Sequence, residues 1–233
     1  MSTAQENSIL SDLTQQELAF LSPHMKMLEV KQGDVIFEPG QKPEYYYFPV
    51  KCSLELSIDM ADGRCGSTAV IDSIFPIDLS VGGGVDYRST VHRSGQCYRI
   101  PAWVFHEALR QSNRLLWCLL KEAVKISRMT ALNSVCFRSH SLEQITAKLI
   151  LMSLDESNSA VADITHLEIA NSLGARREGV TLAIGKLKDR CLISTGRGRI
   201  ELLDRTGLEQ AACECYKSMQ KIKLPTTQNK PID

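Results

Sequence analysis

Few stretches leave a chain less freedom than Thr165 to Ile193, THLEIANSLGARREGVTLAIGKLKDRCLI. Thr165 followed by Glu168 is the reciprocal box that opens a helix. Leu167, Ile169 and Ala170 give that helix an apolar side, and Gly174 after Leu173 supplies the left-handed backbone that a sharp turn needs. A second helix is expected from about Arg176 to Asp189. Val180, Ile184 and Leu187 recur there at spacings of four and three, so they share one face. Arg177, Glu178 and Thr181 fall outside that stripe. Two short helices, a tight turn and a polar leading end make the pattern of a helix-turn-helix, whose second helix enters the DNA major groove. The plainer alternative is a helical hairpin, and the flanking segments decide between them.

Downstream, LISTGRGRIELLD reads as a hairpin with Gly196-Arg197-Gly198 at its tip and Ile200 and Leu202 alternating. Such a wing places Arg197 and Arg199 for phosphate contact. The run T-x-x-E-I-A-x-x-L-G-x-x-R-E-x-V from Thr165 to Val180 resembles the winged helix-turn-helix of the CRP/FNR superfamily of bacterial transcription regulators. That resemblance implies that Arg177 and Glu178 read bases. An arginine forks onto guanine O6 and N7, and a glutamate accepts from cytosine N4. Thr181 completes the DNA-facing set, with Arg176, Lys186 and Lys188 as backbone neutralisers beside the wing arginines. Leu182 stands where well-known members carry a further base-reading arginine. It either meets a thymine methyl or packs internally.

The N-terminal half has another texture. Short β-type runs (MLEV, DVIFE, YYYFPV, SLELSID, CGSTAVI, STVHR and QCYRI) follow one another between Met27 and Ile100, with Gly33, Pro39-Gly40 and Asp62-Gly63 as turns. The expected fold class is α+β: an N-terminal jelly-roll or double-stranded β-helix barrel, a long dimerisation helix, and a C-terminal winged helix-turn-helix. The Lys31–Gly40 run, K-x-G-D-V-I-F-E-P-G, resembles the opening motif of the superfamily's cyclic-nucleotide-binding domain. In the corresponding pocket Arg88 and Ser89 stand in for the phosphate-binding pair, and Asp78 is the carboxylate on offer. Pro76 and Ile77 lie where the family's pattern expects glycine. The motif is therefore incomplete, which places the chain in a branch lacking the full cyclic-nucleotide motif and leaves its effector unassigned. Gly82-Gly83-Gly84 is no triphosphate loop, because no G-K-[ST] follows.

Thr14 to Glu17 is a second capping box, opening a short helix through Leu18 and Leu21 that Pro23 ends. Pro101 fits the first position of a helix ending near Arg110. From about Asn113 to Ser139 one long helix is expected. Leu116, Leu119, Ala123, Ile126, Thr130, Asn133 and Phe137 follow a 3-4 spacing that makes one seam. In the superfamily this helix pairs across a dimer axis, and the polar Thr130 and Asn133 would fix its register. Ser141 to Gln144 caps a further helix through Leu154, packed by Ile145, Leu149 and Met152, with a polar loop at 155–160. A last helix is expected from Thr206 to Met219. The organisation is thus 1–112 effector domain, 113–139 linking helix, 140–220 DNA-binding domain and 221–233 disordered tail.

Net charge is zero, yet residues 1–110 carry 9 Lys/Arg against 14 Asp/Glu while 165–205 carry 8 against 5. Phosphate neutralisation is local, so the balance does not exclude nucleic acid. No apolar run approaches the roughly 20 residues of a membrane span, and MSTAQENSILSD is no secretory signal; no membrane partner and a cytoplasmic location are expected. The eight cysteines, at 52, 65, 97, 118, 136, 191, 213 and 215, form no C-x-x-C pair and show no zinc spacing with a nearby histidine. No metal is expected, and Cys213-x-Cys215 on a helix would point its thiols to different sides. Because the first cysteine is Cys52, the N-terminal cysteine cluster of the superfamily's iron–sulfur members is absent, and no histidine has haem spacing. There is no H-E-x-x-H, G-x-S-x-G or P-loop, so no enzyme is expected. The reading is a sequence-specific regulator, a homodimer on a pseudo-palindrome, with double-stranded DNA, its own copy and RNA polymerase as partners. The alternative is a ligand- or protein-binding signalling module with a vestigial DNA-binding domain.

Overall fold

The computed structural model describes residues 6–61, 65–76 and 87–223. It divides into two compact units, Met1–Ser127 and Arg128–Asp233, and the division falls inside the long helix.

In the first unit all seven β-type runs are strands. β1 (Lys26–Val30), β7 (Gly95–Pro101) and β3 (Tyr45–Pro49) form one antiparallel sheet, ordered β1-β7-β3. β2 (Val35–Phe37), β6 (Arg88–Arg93), β4 (Ser53–Asp59) and β5 (Cys65–Ile71) form a second, ordered β2-β6-β4-β5. β4 and β5 pair from Leu54 opposite Ile71 to Asp59 opposite Cys65. The Asp62-Gly63 tip of that hairpin lies outside the described residues, as do Ile77, Asp78 and Gly82 to Gly84. Gly33 and Gly40 sit at φ 86° and 80°, where a side chain would strain the turn.

Successive side chains on a strand point to opposite faces, and the three-stranded sheet uses both. Cys97 and Tyr47 join Phe37, Leu54, Leu56 and Phe75 between the sheets. Tyr46, Phe48 and Ile100 point the other way, onto a layer of helices. These are α1 (Ser8–Asp12), α2 (Gln15–Leu21), α3 (Ala102–Gln111) and the start of α4 (Asn113–Ser139). Tyr46 stacks on Phe105 with ring centroids 4.0 Å apart. Burying each such side chain stabilises by roughly 1.5–3 kcal/mol. The Thr14–Glu17 box forms as expected. α1 is absent from the sequence reading. Its N-cap Asn7 is buried and donates to the Pro49 and Ser73 carbonyls, both at 2.6 Å, so a residue in a polar leader serves as an internal clamp. Pro101 takes the N-cap of α3 rather than its first helical position.

α4 has the expected bounds, but its faces are shifted. Leu115, Cys118 and Leu119 join the core of the first unit, and Ile126 packs against the sandwich interior. Within the second unit, Asn133 accepts a hydrogen bond from Lys148 at 3.1 Å. The proposed seam therefore mixes faces: Leu119, Ile126 and Asn133 are taken up by the chain itself, whereas Leu116, Thr130 and Phe137 are exposed. The apolar row left in solvent runs one residue later, through Trp117, Val124, Ala131 and Val135. The sequence offers two adjacent apolar stripes, and the domain's own core claims one of them.

The second unit is built on α5 (Leu142–Ser157), opened by the Ser141–Gln144 box. Ala147, Ile150, Leu151 and Leu154 form its buried face, with Leu149 and Met152 only half-buried at the edge. The helix runs three residues beyond Leu154, through half of the expected polar loop, and stops at Asn158 in the left-handed region. β8 (Val161–Ala162), unforeseen, adds a third strand to β9 (Ile193–Gly196) and β10 (Arg199–Leu202) in the order β8-β10-β9.

The expected single C-terminal helix is two. Asp204 caps α8 (Arg205–Ala211), Ala212 is extended, and α9 begins again at Cys215 and runs to Lys223. A-A-C-E-C-Y contains no glycine or proline to announce the break. The junction buries both Cys213 and Cys215 in one cluster, overturning the expectation that their thiols diverge. Residues 221–223 are helical rather than part of a disordered tail, and 224–233 lie outside the described residues.

Both C-terminal helices are tied to α5 through Asp155. Its carboxylate accepts from Arg205 at 2.6 Å, the Tyr216 hydroxyl at 2.7 Å and Gln220 at 3.1 Å. Burial alone would raise its pKa, but these hydrogen bonds and the Arg205 charge outweigh that and hold it below the ordinary value. A depressed folded pKa gives stability that is complete above the unfolded value, about 3.9, and is lost as pH falls through the folded one. Asp155→Ala is expected to cost about 2–3 kcal/mol at pH 7. In thermal melts the gap from the parent chain should narrow as pH falls below about 4. A gap that stays constant with pH would mean the loss is one of packing.

Candidate nucleic-acid interface

The site is made by α6 (His166–Leu173), α7 (Arg177–Asp189) and the β9–β10 wing. Both halves of the Thr165–Glu168 box form: Glu168 accepts the Thr165 N–H at 2.7 Å, and Thr165 Oγ1 accepts the Glu168 N–H at 3.1 Å. Gly174 at φ 59° closes α6, its N–H donating to the Ala170 and Asn171 carbonyls. This left-handed cap reverses the chain within two residues and starts α7 at a fixed angle. Val180, Ile184 and Leu187 bury the inner face of α7 against Ile150, Leu151 and Ile169, among others, and Ala183 is buried too. Leu167 departs from its expected apolar side and is exposed.

With the inner face anchored, the outer face is set. Arg176, Arg177, Glu178, Thr181, Leu182, Lys186 and Lys188 are all exposed. Leu182 is 70% exposed, which removes the alternative of internal packing and leaves it on offer to an apolar group outside the chain. Glu178, Leu182 and Gly185 follow one another on successive turns of the outer face. Gly185 escaped the sequence reading. A Cβ there would meet only open space, so nothing within the chain requires glycine. A helical glycine costs about 1 kcal/mol relative to alanine, and its lack of a side chain lets another molecule approach the helix backbone closely.

Two expected contacts are qualified by their neighbours. Thr181 Oγ1 lies 3.1 Å from His166 Nδ1, which fixes the hydroxyl. Burial and then the Arg177 charge hold His166 below its ordinary pKa, in its neutral form at pH 7. Lys186 and Arg190 share Glu143, at 3.8 and 3.1 Å, so part of the Lys186 charge is met within the chain.

The wing tip is Arg197-Gly198, with Gly198 at φ 73°. Arg199 lies across Gly196, where a Cβ would come within 3.1 Å of its guanidinium Nε and the arginine would have to give by a few tenths of an ångström. Between wing and helices runs a cleft of about 350 Å³ lined by Thr165, His166, Leu167, Arg177, Gly198 and Arg199. It has one arginine from α7, Arg177, and one from the wing, Arg199.

In the barrel, the expected effector residues are engaged elsewhere or lie beyond description. Arg88 is held by Glu38 at 3.0 Å and Asp59 at 3.1 Å, and hydrogen bonding to Glu38 with the charge of Asp59 raises its pKa. Ser89 is fully buried, its hydroxyl without a partner among the described residues. Asp78 lies outside them. Among the described residues no helix is long and apolar enough to cross a membrane.

Residues 144–211 match the Crp-like helix-turn-helix domain. Over 221 residues, covering 89% of this chain and 98% of the relative, the sequence is 24% identical to the global nitrogen regulator of Synechococcus elongatus. The transcriptional regulator SdrP of Thermus thermophilus is 41% identical over 58 residues, 25% of this chain and 29% of the relative. A solved structure from Eubacterium rectale, described as a transcriptional regulator of the Crp/Fnr family, shares the fold with a TM-score of 0.73. It is 19% identical and covers 89% of this chain and 98% of that one.

Proposed function

We propose that this chain, a CRP/FNR-superfamily protein with a Crp-like helix-turn-helix domain, is a transcription regulator that binds a pseudo-palindromic DNA site as a homodimer. The observation that carries the reading is the outer face of α7 beside the wing cleft. There a base-reading set of Arg177, Glu178 and Leu182 adjoins the phosphate-binding set of Arg176, Lys188, Arg197 and Arg199. Two such faces would meet half-sites about one helical turn, ~34 Å, apart. The second copy would join through the exposed row Trp117–Val124–Ala131–Val135 of α4, whose heptad-like spacing suits a helix pair.

In this reading the barrel biases the separation of the recognition helices, with a signal whose chemistry is unassigned. RNA polymerase is the further partner that the family resemblance implies. Against a vestigial DNA-binding domain stand the exposed arginines of helix and wing, all retained in solvent with an open cleft between them.

Replacing both wing arginines, Arg197→Gln with Arg199→Gln, should reduce the slope of log affinity against log salt by about 2. Weakening should be similar on specific and unrelated duplexes. A slope unchanged from the parent chain would take the wing off the phosphate backbone. Genome-wide occupancy of the full chain tests the reading as a whole: an enriched inverted repeat is expected, and no enriched motif under any growth condition would defeat it.

A further inference from the structure

Four donor side chains that sequence spacing does not connect come together in the second unit. Cys136 lies on the last turns of α4, and His140 follows one turn later, just past its end. Cys213 and Cys215 come from the break between α8 and α9. One ligand atom from each of the four lies within 4.8 Å of all the others. Cys136 Sγ and Cys213 Sγ are 3.5 Å apart, and Cys215 Sγ is 3.9 Å from His140 Nδ1. A tetrahedral zinc ion with Zn–S of about 2.3 Å and Zn–N of about 2.0–2.1 Å has ligand–ligand edges of roughly 3.5–3.8 Å. The cluster needs to contract only slightly to reach that shape, and it is too tight to enclose a polynuclear iron–sulfur core.

Two surrounding contacts point the same way. His140 Nε2 lies 3.2 Å from the Glu214 carboxylate. That contact places the ring proton on Nε2 and leaves Nδ1, the nitrogen facing the thiols, as a free lone pair. A carboxylate behind a histidine is the usual orienting partner of a zinc ligand. On the other side Lys148 is buried, with Nζ 3.3 Å from Cys136 Sγ and 3.1 Å from Asn133 Oδ1. Among the described residues no carboxylate pairs with it. A buried ammonium requires an anion beside it. Three thiolates, a neutral imidazole and a divalent cation carry one net negative charge, which Lys148 balances.

We propose that Cys136, His140, Cys213 and Cys215 form a structural zinc site that ties the end of α4 to the α8–α9 junction. This site is independent of the DNA-binding reading. The three thiols give up their protons on binding, His140 donates Nδ1, and no open coordination position remains for catalysis. Zinc loading thereby stabilises the second unit.

The test uses the full chain purified under reducing conditions without chelator. Elemental analysis should find about one zinc per chain, as a single Cys₃His site requires. Exchange for Co²⁺ should give thiolate-to-cobalt charge transfer and the visible bands of a tetrahedral ion. Cys213→Ser should lose both signals, and Cys191→Ser, altering an exposed cysteine, should keep them. Glu214→Gln, which removes only the orienting carboxylate, should weaken metal affinity roughly 10-fold. Because a buried cysteine variant can misfold, the parent chain supplies its own control: a chelator should strip the zinc and lower the melting temperature, and added zinc should restore it. The proposal is overturned if the reduced, folded parent chain holds no zinc and develops no cobalt–thiolate band. It is equally overturned if Cys136 and Cys213 pair as a disulfide and the reduced thiols then take up no metal.

Discussion

Val124→Asp should yield a folded monomer that binds DNA about 10²–10⁴-fold more weakly than the parent chain. Val124 is 58% exposed at the middle of the apolar row on α4, flanked by Trp117 and Val135 at 60% and 52%. Nothing inside the chain depends on it, so the substitution should change the folding stability of a single chain by about 0.5 kcal/mol or less. In a paired helix the same carboxylate would be buried against its own symmetry mate, two like charges facing across a dry seam. Dimerisation is lost first, and DNA affinity follows. Linking two half-site readers makes the second contact intramolecular, and that advantage amounts to 10²–10⁴. Sedimentation should give the 26.0 kDa of one chain in place of twice that mass. A Val124→Asp protein that remained dimeric would move the seam to another face of α4.

Arg177→Ala acts on specificity instead. Arg177 is exposed at the leading end of α7, where it borders the wing cleft. A bidentate arginine–guanine pair discriminates by roughly 1–3 kcal/mol, which is about 5- to 150-fold per half-site. The variant should lose preference at one base pair in each half-site while its affinity for unrelated duplexes barely changes. Uniform weakening on every sequence would make Arg177 a phosphate contact. Glu178 has a second role that confuses its own test, since an acidic residue in the first turn also stabilises the helix through the dipole. Arg177 carries no such benefit there and is the cleaner probe.

Much of this arrangement is legible in the residues because it rests on local rules. The three capping boxes, the Gly174 turn and the 3-4 spacing of Val180, Ile184 and Leu187 are each set within a few residues, and all appear as read. The strands of the first unit are legible for the same reason, as short β-type runs between turn residues. What was missed depends on contacts distant in sequence. Asn7 looks like leader until its partners at Pro49 and Ser73 are known. On α4 periodicity reveals two apolar stripes without saying which one the chain's own core takes, and Leu119 and Ile126 of the expected seam go to that core. Cys213 and Cys215 read as diverging on a helix, because the break at Ala212 has no local signature. Gly185 escapes in another way: a Cβ there would meet nothing in the chain, so internal packing does not explain the glycine.

In the proposed function, two copies of the α7–wing surface read DNA together. Its most direct measurement is selection from a random duplex library by the purified full chain, with sequencing of the bound pool. The expected pool is an inverted repeat whose half-site centres lie about one helical turn apart, ~34 Å, and whose most constrained base pairs become degenerate when Arg177→Ala repeats the selection. A pool with no enriched motif, or one enriched only in an isolated half-site, would contradict it.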